Sequence, residues 1–146
     1  MASQSIEQNF RRTAPQIVQC DVELRLAGLA DKGSSQVLIR LIRFLKAAFG
    51  ATEASCQRNA DQTVMHAERN VGNSLVMLGQ AGGDWKALPA ALYMWVSDVD
   101  ATYERAHTAG ATSQSAPEDK PYGHRNAGVV DENGITWWIG SPIAAR

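Results

Sequence analysis

The sequence has few cysteines: Cys20 and Cys56 are the two among 146 residues, and they lie 36 positions apart. Zinc sites and dithiol redox motifs need cysteines that are close together along the chain. A pair this widely separated provides neither kind of motif. We therefore expect both residues to be reduced, buried thiols.

Long apolar stretches and blocks of basic residues are also missing. The longest nearly unbroken apolar run, residues 87–96, contains Pro89 and has ten residues, whereas a membrane-spanning helix needs about 20. Lys and Arg number 14 against 15 Asp and Glu, and no basic cluster could neutralise a row of phosphates. The first 15 residues contain two arginines but no apolar segment after them, unlike a secretory signal. We therefore expect a cytoplasmic protein without nucleic-acid or membrane partners.

What remains is the composition of an ordinary globular domain, 45% hydrophobic and 20% charged. Within it lies an internal repeat. Gly50-Ala51-Thr52 recurs as Gly110-Ala111-Thr112, each time after a helical pattern. A glycine here is typical of a helix end, and the threonine can begin a strand. At a shift of 61, residues 75–79 align with residues 136–140, both short apolar strands after a turn.

Each half of the repeat is predicted to contain a strand, a helix and three more strands. Residues 22–26 and 92–96 have the pattern of the first strands, and helices are predicted from about residue 35 to 49 and from residue 98 to 110. The first half has about ten additional residues, 27–35, before its helix. We expect a single domain, with module one at about 15–80, a linker at 81–89 and module two at 90–142.

Two-residue turns are predicted at Gly72-Asn73 and Asn133-Gly134, so that in each half the strands on either side of the turn form a hairpin. One such unit cannot cover both faces of its own sheet. We therefore expect the two units to close their sheets around a shared concave surface, which is a natural place for a small ligand.

Three parts of the sequence resemble motifs of a known family. They are Phe-Leu-Lys-Ala-Ala-Phe-Gly-Ala at 44–51, Val-Met-His-Ala-Glu at 64–68, and Pro-Tyr-Gly-His-Arg at 121–125 with Asp-Glu-Asn-Gly-Ile-Thr-Trp at 131–137. Together they resemble the glyoxalase, bleomycin-resistance and extradiol dioxygenase superfamily, the vicinal oxygen chelate proteins, and within it the PhnB-like branch. The resemblance implies an α+β fold of two βαβββ modules, with mixed sheets curled around a concave pocket.

The resemblance also implies where a metal would be bound. Metal-dependent members have one ligand on the first and one on the last strand of each module, and the matching positions here are Met77, Ala91 and Trp138, with a fourth near residues 20–22. Divalent metals need about three or four nitrogen, oxygen or sulfur ligands from the protein. We therefore expect no metal and no cofactor.

Polar residues of the first module are candidates for a different kind of site. If Gly72-Asn73 closes a two-residue hairpin, Glu68 lies opposite Met77 and His66 lies on the same face. His66 and Glu68 could then act as base and orienting group, bind a polar ligand, or form a structural pair.

Further candidates come from the second module. By strand parity, Arg125 is expected on the equivalent face as an anion-binding fork, with a salt bridge or a backbone contact that holds its loop as the alternative. Tyr93, Trp95 and Trp138, together with Met77, would suit a flat or apolar ligand, unless they are simply core residues. One of the adjacent pair Trp137 and Trp138 is expected in the core, because neighbouring strand residues face opposite ways.

These observations leave three functions open. The first is a metal-independent protein that binds a small aromatic or bulky molecule, as resistance members of the superfamily do. The second is a lyase, isomerase or dioxygenase that uses His66 and Glu68, with or without a divalent metal. The third is a scaffold whose pocket is filled by side chains. In each case we expect a homodimer, because family members usually pair modules across subunits.

Overall fold

The computed structural model describes residues 22–26, 34–82, 84, 86–87 and 89–143. The first half contains β1 (Val22–Leu26), α1 (Ser34–Phe49), β2 (Thr52–Arg58), β3 (Val64–Val71) and β4 (Ser74–Gln80). The second half contains β5 (Ala91–Trp95), α2 (Val99–Thr108), β6 (Thr112–Lys120), β7 (His124–Val130) and β8 (Thr136–Pro142). The predicted order of one strand, one helix and three strands therefore occurs twice.

The two sheets have the same topology. Their strand orders are β1-β4-β3-β2 and β5-β8-β7-β6. In each sheet the first strand of the module runs parallel to the last, and the remaining neighbours are antiparallel. The predicted α+β fold with two βαβββ modules is confirmed. Of the two cysteines, Cys56 is half-buried with a free thiol, whereas Cys20 lies outside the described residues.

The helix boundaries follow the local sequence signals. The carboxylate of Asp98 accepts a hydrogen bond from the backbone N–H of Ala101 at 2.9 Å and caps α2. Gly50 and Gly110 follow the two helices with φ angles of 68° and 104°, a backbone conformation that favours glycine. Among the described residues, neither helix is long and apolar enough to cross a membrane.

The first hairpin forms with the predicted register. Val71 pairs with Ser74, so Gly72 and Asn73 are the two loop residues. The register then places Glu68 opposite Met77, as predicted.

The second hairpin differs from the prediction. Val130 pairs with Thr136, so the loop has five residues, 131–135, rather than the two of Asn133-Gly134. The wider loop is closed by Asp131, whose backbone N–H donates to the carbonyl of Ile135 at 3.0 Å. Side-chain hydrogen bonds of Asp131 hold the same loop, and a dipeptide pattern does not reveal such a closure.

The helices lie between the two sheets. Helix α1 packs on β3 and β4, α2 packs on β6, β7 and β8, and the two helices pack on each other. Phe44 and Phe49 of α1 contact Trp137 of β8, with ring centroids 6.2 and 5.2 Å apart. One apolar core therefore joins both modules, and Trp137 is the member of the tryptophan pair that is buried in it.

Each sheet has one face that points away from the helices, and in the described part of the chain no helix packs on it; we call it the open face. His66 and Glu68 lie on the open face of the first sheet, and Tyr93 and Trp138 lie on that of the second. Among the described residues, no hydrogen bond, ion pair or ring contact joins the two open faces. The expectation that the sheets of one chain close around a shared surface is therefore not met in this part of the chain, because the helices separate the sheets.

Candidate functional site

The open face of the first sheet is polar, and we call it the polar face. His66 lies between Gln57 of β2 and Gly79 of β4, and Glu68 lies between Ser55 and Met77. The side chains of His66 and Glu68 are 28% and 31% exposed, and their Nε2 and Oε1 atoms are 3.6 Å apart. The structure therefore brings together the predicted imidazole, carboxylate and thioether on a surface that solvent reaches.

A buried arginine supports this face from the helix side. Arg69 is 5% exposed, and its guanidinium donates to the carbonyl oxygens of Ser55 at 2.9 Å and Glu68 at 2.8 Å. It also forms an ion pair with Glu53 at 2.9 Å. These bonds hold the backbone of Glu68 at the point where the β2–β3 register shifts between Glu53 and Ser55. The sequence analysis did not single out Arg69, because its role depends on this irregular pairing.

The open face of the second sheet is aromatic, and we call it the aromatic face. Tyr93 contacts Trp95 with a ring-centroid distance of 5.2 Å, and Trp95 contacts His124 at 4.7 Å. His124 in turn contacts Tyr122 at 5.3 Å. These four rings form a continuous aromatic strip, in which Tyr93 and Tyr122 are 45% and 63% exposed. Edge-to-face contacts of this kind are among the arrangements that aromatic pairs prefer.

Two glycines allow the aromatic side chains to lie close to the sheet. A Cβ atom at Gly128 would lie 2.7 Å from the indole of Trp138, and one at Gly140 would collide with the ring of Tyr93. The hydroxyl of Tyr93 accepts a hydrogen bond from the Asn126 amide at 3.1 Å. Trp138 and Tyr93 are therefore held against the sheet, and they are adjacent in the parallel β5–β8 pairing.

Tyr122 and His124 belong to this face but were not among the predicted site residues. Tyr122 lies in the β6–β7 turn and His124 is the first residue of β7, and Gly123 between them donates its N–H to the carbonyl of Lys120 at 3.0 Å. Their link to Trp95 spans β7, β8 and β5 of the sheet order. No local pattern indicates such a contact.

Arg125 is on the other side of the sheet, and the prediction that it faces the ligand is wrong. It shares strand parity with Ala127 and Val129, which are buried on the helix side. Its guanidinium donates to both carboxylate oxygens of Asp100 at 2.6 and 2.7 Å and to Asp119 at 2.8 Å. The hydrogen bonds from Arg125 lower the pKa of Asp100 below its usual value. This is the salt bridge that the sequence left as an alternative.

The donor set does not fit a divalent metal. Met77, Ala91 and Trp138 occupy three of the four positions at which the resemblance implies metal ligands, and none is a good donor to such an ion. Within the described ranges no three His, Cys, Asp or Glu side chains come together. His66 and Glu68 alone provide two donors, fewer than the three or four that zinc requires. Residues 20 and 21, part of the fourth position, lie outside the described residues.

Asp131 has a structural role. Its carboxylate accepts hydrogen bonds from the N–H groups of Asn133 and Ile135 at 2.8 and 3.0 Å, and from the Trp137 indole at 2.9 Å. Burial raises the pKa of this carboxyl group, although the hydrogen bonds act in the opposite direction. The Asp-x-x-Gly-x-x-Trp pattern at 131–137 therefore holds a loop and a core residue and does not reach either open face.

Comparison with known protein families and relatives agrees with this architecture. The family model described as Glyoxalase/Bleomycin resistance protein/Dioxygenase superfamily matches residues 38–139. An uncharacterized protein of Mycobacterium bovis is 33% identical over 113 residues, which cover 70% of this chain and 74% of that protein.

Solved structures are similar to this chain as well. TioX from Micromonospora sp. ML1 is similar with a TM-score of 0.65 and 25% identity, covering 85% of this chain and 99% of that one. The fosfomycin resistance protein FosX from Mesorhizobium loti has a TM-score of 0.58 at 15% identity, covering 86% of this chain and 92% of that one. The second likeness concerns the fold alone.

Proposed function

Since the chain belongs to the glyoxalase/bleomycin resistance protein/dioxygenase superfamily, we propose that it binds a small aromatic or bulky molecule without a metal ion. The observation that carries this proposal is the aromatic strip of Tyr93, Trp95, His124 and Tyr122 on an open sheet face. Exposed aromatic surface of this extent is typical of a binding site. Within the superfamily, the three motifs of the sequence favour the PhnB-like branch.

The ligand site is proposed to form between two copies of the chain. The two open faces belong to different sheets of one chain, with the helices between them, so within the described residues neither face has an opposite wall from its own chain. In a two-fold dimer, the polar face of each copy can lie opposite the aromatic face of the other, which gives two equivalent sites. A homodimer thus explains why aromatic side chains such as Tyr93 are left exposed.

Such a site would have two chemically different walls. His66, Glu68 and Met77 would provide one wall, and Tyr93, Trp95 and Trp138 the other. A wall of aromatic rings stacks on a flat ligand, while a few polar groups opposite it determine the ligand's orientation. The expected ligand therefore has an aromatic or broad apolar part and at least one hydrogen-bonding group.

The experiment is a fluorescence titration with proflavine, anilinonaphthalene sulfonate and bleomycin, with fosfomycin as a non-aromatic comparator. At least one aromatic compound should change the tryptophan emission saturably, and Trp95→Ala should weaken its binding about tenfold or more. Arg125→Gln is the matched control, because Arg125 lies on the helix side, and it should leave the affinity unchanged. No saturable response to any aromatic compound, or equal effects of the two variants, would contradict the proposal.

Catalysis is the second candidate, and the His66–Glu68 pair is the observation that favours it. In this version His66 acts as a general base and Glu68 orients it, in a lyase, isomerase or dioxygenase reaction. Turnover of a substrate must then be lost in His66→Gln, while binding persists. A metal-dependent enzyme further requires a bound metal ion. Less than about a tenth of an equivalent of metal per chain in the purified protein would exclude metal-dependent catalysis.

A further inference from the structure

Asn126 is a buried polar residue on the aromatic face. It pairs with Gly140 of β8 and has the same strand parity as Gly128, which places its side chain on the open side of the sheet. Asn126 is nevertheless 4% exposed. Its side-chain amide donates to the hydroxyl of Tyr93 at 3.1 Å, so the end of the Tyr93 side chain lies against it and contributes to this burial.

This hydrogen bond reaches across the sheet. Tyr93 belongs to β5 and Asn126 to β7, and β8 lies between these two strands. Gly140 of β8 provides the space, because an added Cβ there would collide with the Tyr93 hydroxyl and lie 2.7 Å from Cζ. The ring of Tyr93 therefore lies over β8. Since Tyr93 is 45% exposed, the side of the ring that faces away from the sheet is open to solvent.

Trp138 has a similar arrangement. It lies opposite Gly128 of β7, and its indole covers that glycine. Tyr93 and Trp138 are also direct partners in the β5–β8 pairing. Two neighbouring rings thus lie close to the sheet, each above a glycine. Because Tyr93 is packed on one side and open on the other, its hydrogen bond to Asn126 is the contact that fixes its hydroxyl end.

We propose that Asn126 is a positioning residue that makes the aromatic face selective for planar, fused-ring ligands. The inference rests on the proposed function, because it concerns the same ligand site. Without the hydrogen bond, Tyr93 can rotate about its χ1 bond to another rotamer, and its ring then occupies the space in which a planar ligand stacks. A ligand that needs the ring over β8 binds only the molecules in that state, so its apparent affinity falls with their fraction.

A ligand with twisted rings depends less on this orientation. Only a planar ligand can lie parallel to the sheet over Tyr93 and Trp138 together, and offset stacking on both rings is one of the arrangements that aromatic groups prefer. A twisted ligand contacts one of the two rings at a time. Loss of the Asn126 contact should therefore reduce the preference for planar ligands more than it reduces aromatic binding in general.

The test measures the affinity of the full-length protein for proflavine, which is planar, and for anilinonaphthalene sulfonate, whose two ring systems are twisted. Asn126→Leu keeps a similar side-chain size without the donor, and Tyr93→Phe keeps the ring without the hydroxyl. Each should weaken proflavine binding about fivefold, the equivalent of one hydrogen bond, and change the affinity for anilinonaphthalene sulfonate less than twofold. Asn59→Ala is the matched control, because it removes an asparagine hydrogen bond from the β2–β3 loop, and it should bind both compounds as the wild type does.

The double variant separates positioning from a general loss of structure. With Asn126→Leu and Tyr93→Phe combined, proflavine should bind no more weakly than to either single variant, because both changes remove the same bond. Tyr93→Phe alters an exposed residue, so the test does not depend on the folding of Asn126→Leu. Unchanged proflavine affinity in the single variants, equal losses for the two compounds, or additive losses in the double variant would overturn the inference.

The same measurements distinguish this inference from the proposed function. A wild type that binds anilinonaphthalene sulfonate but not proflavine would overturn the selectivity for planar ligands and leave the proposed function intact. A wild type that binds no aromatic compound would overturn both.

Discussion

The polar face and the aromatic face are built on the same strand order and on equivalent pairings, yet they carry different chemistry. In module one, Glu68 lies opposite Met77 across the β3–β4 pair. In module two, Gly128 lies opposite Trp138 across the β7–β8 pair. A glycine lets the indole lie close to the sheet, whereas a glutamate at the equivalent place presents a charge. These two residue pairs are therefore one place where equivalent positions of the two sheets carry different chemistry.

The loops between the last two strands also differ between the two modules. Module one closes with two residues, while module two needs five and a buried aspartate. The additional residues bring Asp131 to the indole of Trp137, which packs against α1 of the other module. The second module thus carries one of the contacts that join the halves, as well as the aromatic face.

The largest expected effect comes from removing the carboxylate of this loop. Asp131→Ala leaves two backbone N–H groups and the Trp137 indole without their acceptor, and should lower the free energy of unfolding by about 3 kcal/mol. Urea denaturation measures this directly. Asn70→Ala is the control, because it is an exposed residue near the shorter loop, and it should stay within about 0.5 kcal/mol of the wild type. Equal decreases in the free energy of unfolding in the two variants would contradict the proposal that the loop of the second module contributes more to stability.

The second-largest effect on stability is expected at Gly128, where the absence of a side chain lets Trp138 lie close to the sheet. In Gly128→Ala, the new methyl group would lie 2.7 Å from the indole, so the ring must move away from the sheet. We expect a stability loss of about 1–2 kcal/mol and weaker binding of aromatic ligands. Gly82→Ala is a matched control with nothing within 4 Å of the added atom, and it should bind as the wild type does. Unchanged tryptophan emission in Gly128→Ala would count against this geometry.

A pH dependence follows from the buried Asp131. Its pKa is raised in the folded protein, so the folded state holds the proton more tightly than the unfolded state does. The stabilisation from this group is present at pH values below the unfolded pKa and is lost as the pH rises through the folded pKa. Relative to Asp131→Asn, the wild type should therefore lose stability as the pH rises through this window. A relative gain would show that the hydrogen bonds outweigh burial.

The smallest effect is expected at Arg125. In Arg125→Gln the ion pairs with Asp100 and Asp119 are lost, but they are partly exposed and solvent screens them. We expect a small decrease in melting temperature and an upward shift in the pKa of Asp100, which NMR titration can follow. A large loss of ligand affinity would mean that Arg125 acts on the open face after all.

Some features of the fold could be predicted from local signals. The helix ends at Gly50 and Gly110 follow from backbone conformations that favour glycine, and the Glu68–Met77 register follows from the two-residue turn beside it. Other features depend on contacts between distant residues. Asp131 widens the second hairpin through its hydrogen bonds, Arg125 is oriented by Asp100 on α2, and Tyr122 joins the aromatic strip only through His124 and Trp95 across the sheet. Alternation along one strand does not reveal these contacts.

The central claim is that a ligand site has a polar wall from one copy and an aromatic wall from another. A mixed dimer tests it most directly, with Glu68→Ala in one chain and Trp95→Ala in its partner, each carrying a different purification tag. The account predicts that neither variant alone binds the aromatic ligand with wild-type affinity, while the mixed dimer regains one wild-type site out of two. Failure of the mixed dimer to regain any such site, or a monomeric wild type that binds with full affinity, would contradict it.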